Sequence, residues 1–494
     1  MVRTRTLVVA LVVVAIPSVG RAADPPAADV DRVMADALRA WGAPGVSLVV
    51  VRGDEVVVLK GYGRRRVDRP EPVTPDTVFP LASCTKPFTS LLLATLVDDG
   101  KLGWDDPVRK HLPTFRLTDP RADADVTVRD LLCHRTGVSG NDQLWYRAPW
   151  SVDDLIGKVG KLPPGYPFRG GFQYSSLMYM AAGRVAATAG GRPWEQLLKA
   201  RVTDPLGMRG VAFSTAELPA DAATGHQAGK GRAPETMPPY PMPEPNPAGS
   251  VHASARDLGA FLKMLVAGGV GPGGKRIVRP ETFAEMTREQ NTIALEGAAR
   301  VMNPDTDKLG YGLGWIVGDH RGKRLVAHGG MIDGFRAQIS FLPDDKLGIA
   351  VLNNLHETRM NQAVTNTLID RYCGLAARDW NGFFQKVVAD ADAAKRAATA
   401  ARDKARDPDR KATLPVERYA GEYAEAAYGT ATVRAADGRL TLAWSSFRSP
   451  LEHFDGDTFR VTEGYHADRL VEFAVDPGRG VVALRFLGVV FRRP

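Results

Sequence analysis

A serine and a lysine three residues apart, Ser83 and Lys86 in Ser83-Cys84-Thr85-Lys86, are suited by type and spacing to covalent chemistry. Residues three apart on a helix share a face, so the hydroxyl and the amine can meet. A serine hydroxyl is a poor nucleophile until a neighbouring base takes its proton. A lysine in the first turn of a helix faces the positive end of the macrodipole, and burial also disfavours its charge. Both effects lower its pKa from ~10.4 and make it usable as that base. Tyr174 offers a phenol of ordinary pKa ~10, which a nearby ammonium would hold as phenolate. His328, with an ordinary pKa of ~6.5, is mostly neutral at pH 7. Gly329 and Gly330 beside it let a backbone approach a substrate closely. Ser-x-x-Lys alone arises by chance in many proteins, so the surrounding elements must decide.

Those elements are readable. Val30, Val33, Met34, Ala37, Leu38 and Trp41 recur at helical spacing. Val46 to Val51 and Glu55 to Lys60 flank Arg52-Gly53-Asp54 as strand, turn and strand. A helix runs from about Ser83 to Asp99 and ends at Gly100, and further helices alternate with Gly- and Pro-containing loops to about residue 230. Seven prolines between Ala233 and Ala248 dictate an extended loop, read as lying within one domain because Ser254 at once caps a new helix. Strand signals return at Leu313 to Val317, Arg324 to Ala327, Phe335 to Leu342 and Leu347 to Leu352. Strands at both ends with helices between predict an α/β (α+β) domain, an antiparallel sheet flanked by helices with a mostly helical insert. Residues 376–412, rich in Ala, Asp, Lys and Arg, read as a solvated helical linker. The last eighty or so residues carry short alternating strands separated by Asp-Gly, Pro-Gly and Arg-Gly turns, the pattern of a small all-β barrel.

The nucleophile motif continues into LLLATLVDDGKLGWDDPV, followed in order by LLCHRTGVSG, FQYSSLMYMAAG and AHGGMIDGFRAQISFLPDDKLGIAVLNN. This arrangement resembles the serine β-lactamase and penicillin-binding-protein superfamily over about residues 28–375, nearest to its class C β-lactamase-like (peptidase S12-like) hydrolases. The resemblance implies that Ser83 is acylated and that Lys86 and Tyr174 relay its proton, leaving open which of the two acts first. It also implies that the Met331 amide, beside Gly330, joins that of Ser83 as an oxyanion hole, and that His328 takes the place of a lysine met in many relatives, as a weaker anchor for a substrate carboxylate. Where many relatives have asparagine this chain has Ser176, whose hydroxyl is shorter and cannot hold a substrate amide and the lysine equally well. His134 and Gly137 are read as a helix end and turn. Residues 413–494 resemble the lipocalin-like barrel appended to some prokaryotic members, which lies near the active site or helps assemble homo-oligomers.

Composition narrows the setting. The formal charge of +8 is spread without a basic block, and Arg3, Arg5 and Arg21 fall in a leader, so nucleic acid is not an expected partner. The apolar run from Leu7 to Ile16 after Arg3 and Arg5, with Gly20 and Ala22, reads as a signal peptide over 1–22 and a periplasmic or secreted protein. No stretch is long enough for a stable membrane span. Three cysteines and nine dispersed histidines point to neither a disulfide framework nor a metal or other cofactor. The expected domains are thus the leader, a hydrolase domain over 25–375, the linker and the barrel. The expected function is a serine hydrolase of small amides or esters, including D-residue peptides or β-lactams, in the manner of D-alanyl-D-alanine carboxypeptidases and esterases. Two alternatives stand beside it: a penicillin-binding receptor that turns over slowly, and a catalytically silent binding module.

Overall fold

Every residue of the strand Gly45–Arg52 (β1) is buried, because its alternate side chains enter two different cores. Val46, Leu48 and Val50 pack with Val30, Met34, Leu368 and Ile369. Val49 and Val51 join Phe88, Phe261 and Leu352 on the opposite side. A β-branched run without polar alternation is what a strand covered on both faces requires.

The structure is a computed structural model that describes residues 23–229 and 232–494; the expected leader over 1–22 lies outside the described residues. β1 belongs to an eight-stranded antiparallel sheet. Glu55–Gly63 (β2) returns beside it across a tight turn. The other strands come from far along the chain: Asn291–Thr292 (β3), Leu309–Tyr311 (β4), Ile316–His320 (β5), Lys323–Ile332 (β6), Phe335–Leu342 (β7) and Leu347–Asn353 (β8). Their spatial order is β2-β1-β8-β7-β6-β5-β4-β3, with Val49 of β1 opposite Ala350 of β8. The expected pairing of N- and C-terminal strands is therefore present. The strand expected at Leu313 starts instead at Ile316, because Gly314 turns with φ of 88° against Ser90, where any side chain would collide.

Helices cover both faces. Ala27–Trp41 (α1), closed by Gly42 in the left-handed conformation, shares one core with a late helix, Met360–Tyr372 (α5). Thr85–Asp98 (α2), Ser176–Gly190 (α3) and Ala255–Val266 (α4) supply the other. α4 starts at the cap expected from the sequence: Ser254 Oγ accepts the Asp257 amide at 3.1 Å, and the Asp257 carboxylate accepts the Ser254 amide in return. The helix Trp380–Lys404 (α6) is largely solvated, as its composition requires, but its first turn buries Trp380 and Phe384 against Ala363. The proline-rich segment opens as a short strand, Arg232–Thr236, and then crosses the helical side while burying Tyr240 and Met242. No helix among the described residues is long and apolar enough to cross a membrane.

The C-terminal module is a closed eight-stranded barrel running from Gly421–Glu425 to Val489–Arg492, filled by side chains such as Tyr423, Leu442, Phe473 and Phe491. It docks on the 141–158 region of the sheet-and-helix domain. Tyr428 Oη donates to Asn141 Oδ1 at 2.8 Å, Lys158 Nζ donates to the Ala427 carbonyl at 2.9 Å, and the Tyr146 and Tyr465 rings lie 4.5 Å apart.

The helix that carries the nucleophile motif is held by packing: Phe88 is fully buried and stacks on Phe261 of α4 at 4.1 Å. Phe88→Ala is expected to cost about 3–5 kcal/mol, read as a lower denaturant midpoint at unchanged slope. A loss below about 1 kcal/mol would contradict this packing.

Candidate active site

Ser83 lies in a single 3-10 turn, Ala82–Cys84, that feeds directly into α2. Ala82 has φ of 47°, a conformation disfavoured for residues with a Cβ and tolerated where surroundings over-determine it. Those surroundings are visible. The Leu81 amide donates to the Val251 carbonyl at 2.8 Å, and the Val251 amide donates to Thr85 Oγ1 at 3.0 Å. From the other side, Cys84 Sγ donates to the His328 carbonyl of β6 at 3.1 Å. Gly330 lets β6 come this close: a Cβ there would overlap the Leu81 carbonyl oxygen and stand 3.2 Å from the Cys84 amide nitrogen. The Ser83 turn is clamped between β6 and the segment at Val251.

Lys86 is fully buried, and its Nζ has three oxygen contacts: Ser83 Oγ at 3.1 Å, the Ala248 carbonyl at 3.0 Å and Ser176 Oγ at 3.4 Å. None is a carboxylate. Burial pushes its pKa down to about 7, only partly opposed by the more distant Asp142. The amine and hydroxyl therefore meet as the i, i+3 spacing implies. The Ala248 contact carried no signal in the sequence, since any residue type offers a carbonyl; the proline-rich loop delivers it, with Thr89 Oγ1 donating to the Pro247 carbonyl at 2.7 Å.

Tyr174 joins the pair. Its phenol is close enough to the Ser83 side chain to feel it, and Lys86 Nζ lies 4.8 Å from its ring centre. The expected phenolate does not form, because burial raises the phenol well above its ordinary range and outweighs the opposing effect of the Ser83 side chain. Tyr174 is a neutral donor. His134, at the left-handed end of the helix Val128–Leu132, orients it: its Nδ1 accepts the Ser175 amide at 3.1 Å and its ring lies 4.4 Å from that of Tyr174. His134 is thus a helix-end residue, as read, with a positioning role the sequence did not show.

His328 is almost wholly buried, and both its ring nitrogens are engaged by the protein. Tyr311 Oη donates to Nε2 at 2.9 Å, and Nδ1–H donates to the Gly329 carbonyl at 2.8 Å. Burial lowers its pKa to about 3, so the ring is neutral and its hydrogen-bonding capacity is spent inside the fold. Ser83, Ser176 and Met331 line a narrow cavity of about 40 Å³ closed by Trp145 and Tyr240. Two larger spaces share its walls. One, of about 230 Å³, has Tyr240, Met242 and Ile332 in common with it and is mostly apolar. The other, of about 280 Å³, meets it at Trp145 and Met331 and is closed by the barrel residues Tyr465, His466, Arg469 and Leu487. Among the described residues no cluster of His, Cys, Asp or Glu could hold a metal ion.

Sequence comparison matches residues 30–373 to the beta-lactamase family and residues 405–489 to a domain of unknown function, DUF3471. An unguisins hydrolase, ungD of Aspergillus violaceofuscus, is 28% identical over 492 residues, covering 91% of this chain and 86% of that protein. The octameric penicillin-binding protein homologue from Pyrococcus abyssi shares the fold with a TM-score of 0.62 at 21% identity, over 94% of this chain and 99% of that one. A D-stereospecific amidohydrolase from Streptomyces sp. superimposes with a TM-score of 0.57 at 23% identity, over 71% of this chain and 100% of its own.

Gly330→Ala tests the clamp. The added methyl is expected to push β6 off the Leu81–Cys84 turn, lowering the rate of Ser83 labelling by a fluorophosphonate at least about tenfold while the fold persists by circular dichroism. Unchanged labelling would show that the contact does not shape the site.

Proposed function

This chain belongs to the beta-lactamase family, and from that premise we propose that it hydrolyses small amides or esters through an acyl-enzyme on Ser83. The observation that carries the proposal is the set of contacts around Lys86. A neutral amine has two N–H donors and one lone pair. The Ala248 carbonyl and Ser176 Oγ take the two donors, which leaves the lone pair for the hydroxyl of Ser83. A pKa of about 7 keeps a large fraction of the amine neutral at physiological pH.

In this reading Lys86 is the first base. It takes the Ser83 proton as the oxygen bonds to the substrate carbonyl carbon, and the amides of Ser83 and Met331 receive the charge developing on the carbonyl oxygen. The neutral phenol of Tyr174 hands its proton to the departing amine or alcohol and regains the proton held by Lys86. Water then attacks the acyl carbonyl carbon and gives a proton to the neutral Lys86, which returns it to Ser83 Oγ as the acyl–oxygen bond breaks and the acid leaves. His328 buttresses β6 through Tyr311 and does not anchor substrate itself.

The apolar space beside the serine supports substrates with an apolar acyl or side-chain group. The resemblance to a D-stereospecific amidohydrolase and to an unguisins hydrolase supports amides, including peptides with D-residues. Ser176 reaches Lys86, but its single hydroxyl is then committed, which argues against efficient β-lactam turnover. Export, signalled by the apolar run from Leu7 to Ile16, and homo-oligomerisation in the manner of the Pyrococcus abyssi homologue belong to the same proposal.

Two measurements test it. Ser83→Ala should abolish hydrolysis of nitrophenyl butyrate, and Lys86→Met should reduce it by about 10²–10⁴-fold. A Ser83→Ala variant with its rate intact overturns the assignment, and stoichiometric acylation without turnover replaces it by a slow-turnover receptor. Because the active form of Lys86 is the deprotonated one, kcat/KM should rise with pH through about 7 and level off above it. A profile flat between pH 5.5 and 8.5, as chosen for the assay, would exclude Lys86 as the base.

A further inference from the structure

Strand β6 has a second side. Side chains alternate along a strand, so His328 and Gly330 face the nucleophile turn while Ala327 and Gly329 face away from it. Gly329 pairs with Gln338 of β7, and Ala327 pairs with Ser340. Arg336, Gln338 and Ser340 therefore share that far face, opposite Ala337, Ile339 and Phe341, which enter the core with Phe88. The far face is not fully packed. A cavity of about 300 Å³ lies there, between β6, β7 and the start of α5.

Its lining is unusual for an unfilled space. Arg336 and Arg359 both border it, and neither guanidinium has a hydrogen bond or a carboxylate partner among the described residues. Arg336 Nε is buried and unpartnered, and so is Thr365 Oγ1, whose residue is 2% exposed. Around them stand Gln338, whose amide donates to Ser340 Oγ at 3.1 Å, Asn361, whose amide donates to the Val351 carbonyl at 2.7 Å, and Asn366; each NH2 group has a second N–H to offer. The acids nearby are committed or remote. Asp305 pairs with Arg378, and Asp319 Oδ1 accepts the amides of Asp307 at 2.8 Å and Lys308 at 3.0 Å. Glu357 attracts both arginines, but its side chain is 80% exposed and makes no ion pair with either. Burial, together with repulsion from Arg359, lowers Arg336 to about 10. Two half-buried like charges whose attracting carboxylate is exposed and unbonded to them are costly, and a bound anion lowers that cost.

We propose that this cavity is a second binding site, separate from the serine pocket, for a small polar molecule carrying an oxyanion, carboxylate or phosphate. The planar forks of Arg336 and Arg359 take the oxyanion, and Thr365, Gln338 and the two asparagines take the polar remainder. The volume admits a ligand of metabolite size. Only backbone at Gly329 and Gly330 separates this ligand from the nucleophile turn. Binding here does not depend on the hydrolase reading.

The experiment titrates the full chain with inorganic phosphate and, separately, citrate, against chloride at matched ionic strength, following the thermal midpoint and the heat of binding. A saturable rise with either anion supports the site, and the anion that works identifies its chemistry. Arg336→Met and Arg359→Met should each weaken that binding at least about tenfold. Arg336→Met should also raise the midpoint of the unliganded protein, because a buried unpaired charge is removed. Protein blocked at Ser83 by a fluorophosphonate should bind equally well. No saturable response to either anion, equal binding by both arginine variants, or loss of binding after Ser83 is blocked overturns the proposal.

Discussion

The site depends on an amine kept away from water and offered only neutral oxygens. Lys86 would be an ordinary ammonium on the surface, or a fixed one beside a carboxylate. Instead its three contacts are a hydroxyl, a carbonyl and a second hydroxyl, so charging it is penalised while its hydrogen bonds are met. Each of those oxygens comes from a different part of the chain: the turn before α2, the proline-rich loop and the first residue of α3. The helical side of the fold exists, in this sense, to bring three distant oxygens to one nitrogen. The sheet contributes the opposite property, a strand with no side chain at Gly330, so that backbone can lie against backbone at the nucleophile.

Much of this was legible in the sequence because it rests on spacing and residue type. Ser83 and Lys86 announce themselves by helical geometry, β1 by an unbroken β-branched run, α4 by its capping box, and the barrel by its turns. What was not legible rests on burial or on backbone atoms. A carbonyl such as Ala248 has no sequence signature. The protonation state of Tyr174 is set by how deeply His134, Tyr179 and Tyr311 enclose it, so reasoning from the nearby cation alone gave the wrong charge. His328 looked like a substrate contact until Tyr311, nearby in sequence and two strands away in the sheet, was seen to occupy its free nitrogen. The unpaired arginines needed the strand register, since Arg336 is unremarkable until it is known which face it shares with Gly329.

The barrel changes what the entrance can be. The space next to Met331 and Trp145 is closed by Tyr465, His466, Arg469 and Leu487, residues more than three hundred positions from the nucleophile. Docking through Tyr428, Lys158 and the Tyr146–Tyr465 ring pair holds that wall in place. The space beside Ser83 is thus shaped by two modules at once, and variation in the barrel loops would reshape it without touching the Ser83–Lys86 pair.

The pairing of β1 with β8 has a consequence for how the molecule is born. A strand made within the first tenth of the chain finds its neighbour only after some three hundred further residues have been synthesised. Until then one edge of β1, rich in valine, waits unzipped while translation continues, a template for wrong partners. The nascent polypeptide must either be shielded through that interval or postpone collapse of its sheet, and the last strands to emerge then complete both the barrel and the doorway it frames.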